Sequence, residues 1–172
     1  MNLISAKTKE QILNIKKLYN KSFPPKERKP FNLILKFQAE GKGELFEIRE
    51  DDNFAGFVVN TMSDQSILLD YLAISPEYQN QGLGSKIVKL WLEKYKDMFL
   101  FCEIETTKKF SDNAEERQRR KIFYLKNGFS ETRVNISLWG VEMELLSNRS
   151  DAVFEDYYEI YYNAYGKDYS IN

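Results

Sequence analysis

There is no histidine among the 172 residues and only one cysteine, Cys102. Without histidine the chain cannot build a Ser-His-Asp or Cys-His catalytic set, and a histidine-based metal centre is excluded as well. One cysteine forms no internal disulfide and no zinc cluster. Cys102 sits in an apolar run and reads as a buried, inert thiol rather than a nucleophile. No uninterrupted apolar run approaches the length of a membrane span, and the N-terminus lacks the apolar core of a secretory signal, so the expected location is cytoplasmic, with no membrane partner. The 25 Lys and Arg against 26 Asp and Glu leave a net charge of −1, which argues against a nucleic-acid binder that works through a broad basic surface. What remains for proton transfer is a carboxylate, a tyrosine, a main-chain group or an ordered water. A hydrophobic content of 42% is enough for a folded core, and the length suggests one folded domain.

What the chain does have is concentrated between residues 67 and 95. An apolar strand, Ile67 to Ile74, runs into Ser75-Pro76 and then into Gln79-Asn80-Gln81-Gly82-Leu83-Gly84-Ser85. Ile87, Val88, Trp91 and Tyr95 follow at helical spacing on one face. A strand, a tight turn and a helix whose N-terminus points back at the turn make an anion site, because the first N–H groups of the helix have no partner within it. Glycine at 82 and 84 lets a phosphate approach the backbone, and Asn80 tolerates a left-handed conformation. The dinucleotide fingerprint G-x-G-x-x-G fails because Ile87 stands at the third glycine, and there is no Gly-Lys-Ser/Thr run for a P-loop. An ordinary strand–turn–helix with glycines for packing is the bland alternative.

The pattern Gln79-x-x-Gly82-x-Gly84 resembles the acetyl-CoA pyrophosphate loop of the GNAT acyltransferase superfamily. Some forty residues on, Phe123-Tyr124-Leu125-Lys126-Asn127-Gly128-Phe129 is similar to the F-Y-x-x-x-G-F signature of the same family. The resemblance covers roughly residues 1–146, expected as one acetyltransferase domain, with 147–172 as a tyrosine-rich C-terminal helix and tail packed on the domain or on an interface.

The order of elements fits that resemblance. Leu3-Ile4 reads as a short strand and Thr8 to Tyr19 as a helix, broken by Pro24, Pro25 and Pro30. Phe31 to Gln38 is a second helix, closed by Gly41 and Gly43. Strands follow at Glu44 to Arg49 and Asn53 to Thr61, joined by hairpin-turn residues Asp51-Asp52-Asn53. The near-continuous apolar run at Ile67 to Ile74 suggests a central strand buried on both faces. In the strand Met98 to Glu105, Phe99, Phe101, Glu103 and Glu105 share one face, and Leu100, Cys102 and Ile104 the other. Two carboxylates ending an apolar strand mark a site, or the strand simply emerges into solvent there. Residues 106–112 read as a polar loop. Asn113 with Glu116 resembles a capping pair for a helix that stops at Gly128. Ser130 to Ile136 and Leu138 to Leu145 read as an antiparallel pair, and Asp151 to Tyr165 as a last helix. Six tyrosines between Tyr157 and Tyr169 suit a helix docked on its own domain first and a homodimer contact second. The resemblance implies the fold class α/β (α+β): a mixed, mostly antiparallel sheet of about seven strands flanked by helices, with an extra C-terminal helix.

The resemblance implies an N-acetyltransferase that moves an acetyl group directly from acetyl-CoA, its co-substrate, to a primary amine of a small molecule or peptide, with no metal. It implies cofactor contacts at Leu72, Ala73 and Ile74, on a strand edge parted from the Phe101 to Glu105 strand, and at Gln79, Asn80, Gln81, Gly82, Leu83, Gly84 and Ser85. Tyr124 would protonate the leaving thiolate, or merely pack. Glu105 is the first choice for the base and Glu103 the second. The helix–loop–helix near the N-terminus would wall the acceptor site, where Phe23 reads mainly as a packing residue and Glu27 and Arg28 could meet substrate. In one respect the chain departs from the family pattern: Arg117 stands where an asparagine commonly binds CoA, and Arg120 where a small residue is usual. That asparagine contact does not carry over. An arginine here could reach CoA oxygens or pair with Glu116. A catalytically silent acyl-CoA-binding or regulatory module of the same fold is the alternative.

Overall fold

A computed structural model describes residues 1–107, 112–138 and 140–166. Among them are seven strands and five helices. The strands are β1 (Asn2–Ser5), β2 (Gly43–Glu50), β3 (Asn53–Met62), β4 (Ser66–Ile74), β5 (Phe99–Glu105), β6 (Ser130–Leu138) and β7 (Val141–Ser147). The helices are α1 (Lys9–Ser22), α2 (Phe31–Ala39), α3 (Leu83–Lys94), α4 (Ala114–Lys126) and α5 (Phe154–Tyr165). The strands form one sheet in the order β1-β2-β3-β4-β5-β7-β6, and the pairs β1–β2, β2–β3, β5–β7 and β6–β7 are antiparallel. The apolar β4 is the middle strand, as its composition predicts. The chain divides into two compact units, Met1–Thr61 with Leu69–Gly84, and Met62–Leu68 with Ser85–Asn172.

In the first unit, Thr8 caps α1. Its hydroxyl accepts from the Gln11 N–H at 3.2 Å, while the Gln11 side-chain oxygen accepts from the Thr8 N–H at 3.0 Å. The amide of the same side chain donates to the buried Glu47 on β2 at 2.8 Å, so one residue ends a helix and anchors it to the sheet. The apolar face of α1 and α2 (Ile15, Leu18, Tyr19, Ile34) is buried with Leu45, Phe57, Val59, Tyr71 and Ala73 of the strands. The β2–β3 turn is made by Asp51 and Asp52 at φ 47° and 63°, the left-handed geometry a two-residue hairpin requires. Gly56 on β3 is fixed by close approach, since a Cβ there would lie 2.3 Å from the Ala73 carbonyl oxygen on β4.

In the second unit, Ile87, Val88, Trp91 and Tyr95 are all buried, as their spacing predicts. The other core lies around α5: Tyr157, Ile160 and Tyr161 pack with Phe101, Ile136, Leu138 and Leu145. The C-terminal helix is thus docked on its own unit. It begins at Phe154 rather than Asp151, because Val153 takes the N-cap position and the Asp156 carboxylate accepts its N–H at 3.0 Å. The hairpin joining β6 and β7 turns later than expected: β6 runs through Ser137 to Leu138, and Gly140, at φ 79°, supplies the turn. Residues 108–111 of the expected polar loop, and Tyr169 of the tail, lie outside the described residues.

Candidate active site

The loop between β4 and α3 is built from its own side chains. The Ser75 N–H donates to Ala55 O at 2.9 Å, a single 3-10 turn follows at Pro76–Tyr78, and Asn80 and Gly82 take φ of 60° and 75°. Gln79 and Gln81 turn back on the backbone, donating to Ile74 O at 2.9 Å and Glu77 O at 2.8 Å. Gln79, Asn80, Gln81 and Gly82 are exposed, whereas Leu83 is buried and begins the helix. Leu83, Gly84 and Ser85 therefore contribute first-turn N–H groups, which lack intrahelical partners. A Cβ on Gly82 would meet nothing within 4 Å. Open space above a glycine at the head of a twelve-residue helix suits the oxygens of a pyrophosphate. Leu72, Ala73 and Ile74 end the strand that feeds this loop, with Leu72 and Ile74 half-buried and Ala73 buried.

The first unit also holds a polar cluster that sequence reasoning missed. Lys29 Nζ lies 2.6 Å from Asp70 Oδ1, both side chains buried, and 3.4 Å from the Thr61 hydroxyl, which itself donates to Asp70. The Tyr71 hydroxyl accepts from the Lys29 N–H at 2.9 Å and donates to Glu27 O at 3.0 Å, and the Tyr19 hydroxyl donates to Lys29 O at 3.0 Å. Burial, with the nearby Asp70 charge, pushes both phenols above the usual tyrosine range. The segment from Glu27 to Lys29 is therefore pinned by main-chain contacts. The only hint in the sequence was an aspartate inside an apolar strand. Phe23 packs edge-on to Tyr71, ring centroids 4.9 Å apart, and Arg28 donates to Asn20, while the Glu27 side chain is exposed.

In the second unit the two carboxylates of β5 have different company. Glu105 is paired with Arg117 (Nε–Oε2 3.0 Å, Nη2–Oε1 3.1 Å) and accepts from the Asn113 amide at 3.3 Å. The expected cap at Asn113 is not made by its side chain: its backbone, at φ −106° and ψ 22°, lies outside the extended geometry of an N-cap. Glu116 pairs with Arg120 at 3.0 Å, one turn on, which answers for one of the two unusual arginines; Arg117 answers to Glu105. Glu103 Oε1 accepts from Tyr157 at 2.6 Å and from Tyr161 at 2.7 Å. On the α4 side, Lys121 bridges Glu144 at 2.7 Å and Glu131 at 3.1 Å, and Glu144 also accepts from the Thr107 N–H at 2.6 Å. Burial alone would raise the Glu144 carboxyl, but the hydrogen bonds from Lys121 and Thr107 outweigh it and hold it at about 2.

Tyr124, on the last turn of α4, stands edge-on to Phe123 and Phe129 at 5.2 and 5.4 Å between centroids, and Phe129 stacks on Trp91. Burial pushes its hydroxyl well above the usual tyrosine range, so it is protonated at neutral pH. Cys102 is buried, and burial with the neighbouring Glu103 charge raises its thiol, which makes it the inert residue the sequence suggests. Among the described residues there is no cluster of three or more cysteines and carboxylates placed to hold a metal, and no helix long and apolar enough to cross a membrane.

The model of the acetyltransferase (GNAT) domain matches residues 41–131, and the chain belongs to that family. No curated protein matches the sequence. Among solved structures, a Bacteroides thetaiotaomicron protein described as a GNAT-family acetyltransferase aligns with a TM-score of 0.80 at 21% identity, over 98% of this chain and 100% of its own. Spermidine N-acetyltransferase from Vibrio cholerae, solved in complex with CoA and spermine, aligns with a TM-score of 0.64 at 14% identity, over 85% and 93% of the two chains. The ribosomal-protein-S18-alanine N-acetyltransferase of Escherichia coli aligns with a TM-score of 0.60 at 18% identity, over 85% and 91%. At these identities the likeness is one of fold.

Proposed function

We propose that the protein is an acetyl-CoA-dependent N-acetyltransferase acting directly on a primary amine. The observation that carries this reading is the loop of Gln79 to Ser85, with its exposed left-handed Asn80 and Gly82 directly before the first turn of α3. Its outward N–H groups and the positive end of the helix dipole would hold the pyrophosphate, and Leu72, Ala73 and Ile74 would present main-chain groups to the rest of the co-substrate. The co-substrate supplies an acetyl group already activated as a thioester. Family membership and the CoA complex of the spermidine enzyme support the same choice.

The residues then divide the proton traffic. An alkyl amine with a pKa of about 10.4 is mostly protonated at neutral pH, so a carboxylate must take its proton before nitrogen can attack. Glu103 and Glu105 are the two candidates. Accepting a proton on Glu105 would break its ion pair with Arg117, whereas the Tyr157 and Tyr161 hydroxyls can donate to Glu103 Oε1 whether that carboxyl is ionised or neutral. A main-chain N–H at Ala73 or Ile74 would steady the developing oxyanion. Tyr124, at the position of the family's signature tyrosine, would hand its proton to the departing sulfur. Glu27 and Arg28, on the pinned segment before α2, are the acceptor-side candidates, with Phe23 as packing beneath them.

The acceptor is a primary amine of a small molecule or a peptide. The structural neighbours named above include one spermidine enzyme and one that acts on a protein alanine, and those two amine types are the first probes. Calorimetry with acetyl-CoA, followed by an assay of CoA release with spermidine and with a peptide bearing an N-terminal alanine, tests the reading. Binding of acetyl-CoA with amine-dependent CoA release is expected; failure to bind acetyl-CoA contradicts it.

A further inference from the structure

Tyr157 and Tyr161 lie one turn apart on α5 and are 0% and 2% exposed. The Tyr157 ring packs edge-on against Phe101 of β5 at 5.7 Å, yet its hydroxyl passes that ring to reach Glu103, two residues along the strand. Tyr161 reaches the same oxygen and stacks on Tyr165. Phenylalanine at both positions would give the same apolar contact with Ile136, Leu138 and Leu145 without burying two hydroxyls. Burying a hydroxyl and drawing a carboxylate into an apolar cluster both cost stability unless the groups meet. Here they meet at one atom, Glu103 Oε1. Two donors converging on one carboxylate oxygen fix the position of that oxygen and restrict the side-chain torsions of Glu103.

We propose that Tyr157 and Tyr161 are positioning residues for the acetyl transfer: from α5 their hydroxyls orient Glu103 toward the acceptor amine, so the C-terminal helix is part of the acceptor site and not only a brace. This rests on the reading of Glu103 as the base. The hydroxyls keep their donors on Oε1 whether Glu103 is ionised or has accepted the amine proton, so the carboxylate can complete its proton transfer without losing its orientation.

The test is a double-mutant cycle. Tyr157→Phe, Tyr161→Phe and the double variant are made in the wild-type chain and in a Glu103→Gln background. Steady-state kinetics are run with acetyl-CoA and, as acceptors, spermidine and a peptide with an N-terminal alanine. In the wild-type background the double variant is expected to lose about tenfold or more in kcat/KM for the amine, with the KM for acetyl-CoA unchanged. In the Glu103→Gln background the same changes should alter kcat/KM by less than about twofold, because the residue through which they act has gone. Should the double variant fail to fold by circular dichroism, the Tyr161→Phe cycle alone decides the matter. A slow Glu103→Gln enzyme beside Phe variants at the wild-type rate overturns the proposal and leaves the base assignment standing. Equal losses in both backgrounds also overturn it and make α5 a brace. A Glu103→Gln enzyme at full rate, or a wild type that acetylates neither probe, removes the underlying reading and the proposal with it.

Discussion

Two glutamates of one strand, Glu103 and Glu105, differ in what holds them: Arg117 pairs with Glu105, and the Tyr157 and Tyr161 hydroxyls donate to Glu103. Their presence at the end of an apolar strand was legible in the sequence. Their partners were not, because Arg117 lies twelve residues on, and Tyr157 and Tyr161 more than fifty, and only the fold brings them together. Asn80 and Gly82 were legible, since few residues tolerate a positive φ, and both adopt one. Gly82→Val would add a branched side chain at a strained φ and in the open space assigned to the pyrophosphate. Affinity for acetyl-CoA should fall by more than about tenfold, roughly 1.4 kcal/mol, in a variant that still folds; calorimetry checks it. Tyr124→Phe keeps the ring and its edge-on contacts with Phe123 and Phe129, so thermal stability and acetyl-CoA affinity should barely change. If its hydroxyl is the acid, kcat should drop ~10²-fold or more. Wild-type turnover in the Phe variant, with chemistry limiting, would reduce Tyr124 to a packing residue.

Among the elements, those with strong local signals were read closely: α1 from its spacing and the prolines after it, α3 from its buried face, and β4 from its apolar run. Helix starts were read less closely. Asn113 sits at the start of α4 without a side-chain cap, its amide donating to Glu105, and α5 begins three residues late because the Asp156 carboxylate accepts the Val153 N–H. Gln11 shows the opposite case, since its local cap was not foreseen and its second contact, to Glu47, depends on a strand 36 residues away. Gln11→Ala should remove the reciprocal half of the α1 cap and one partner of a buried carboxylate. A loss of about 1–3 kcal/mol is expected in urea unfolding, while Leu13→Ala, on the exposed face of the same helix, should cost under about 1 kcal/mol.

For the molecule as a whole, the buried pair of Lys121 and Glu144 predicts how stability responds to acid. The Glu144 carboxyl is lowered from its usual 4.5 to about 2 in the folded chain. Its contribution is therefore fully present above pH 4.5 and is lost as pH falls from there toward 2. Melting temperature should decline through that window, and Glu144→Gln should flatten the decline. A variant with the wild-type slope would show that other carboxylates govern acid unfolding.

The family was legible because two short motifs carry it, and the central place of β4 because its apolar run does. The acceptor was not, because the segment proposed to wall its site is held mostly by main-chain contacts. Transfer of an acetyl group onto an amine is tested most directly by following the group itself. With isotopically labelled acetyl-CoA, purified protein and a panel of primary amines that includes spermidine and an alanine-terminated peptide, label should appear in an acetylated amine at a rate proportional to enzyme and should slow sharply in Glu103→Gln. Tight binding of acetyl-CoA with no label transferred to any amine would contradict the account and leave an acyl-CoA-binding module of the same fold.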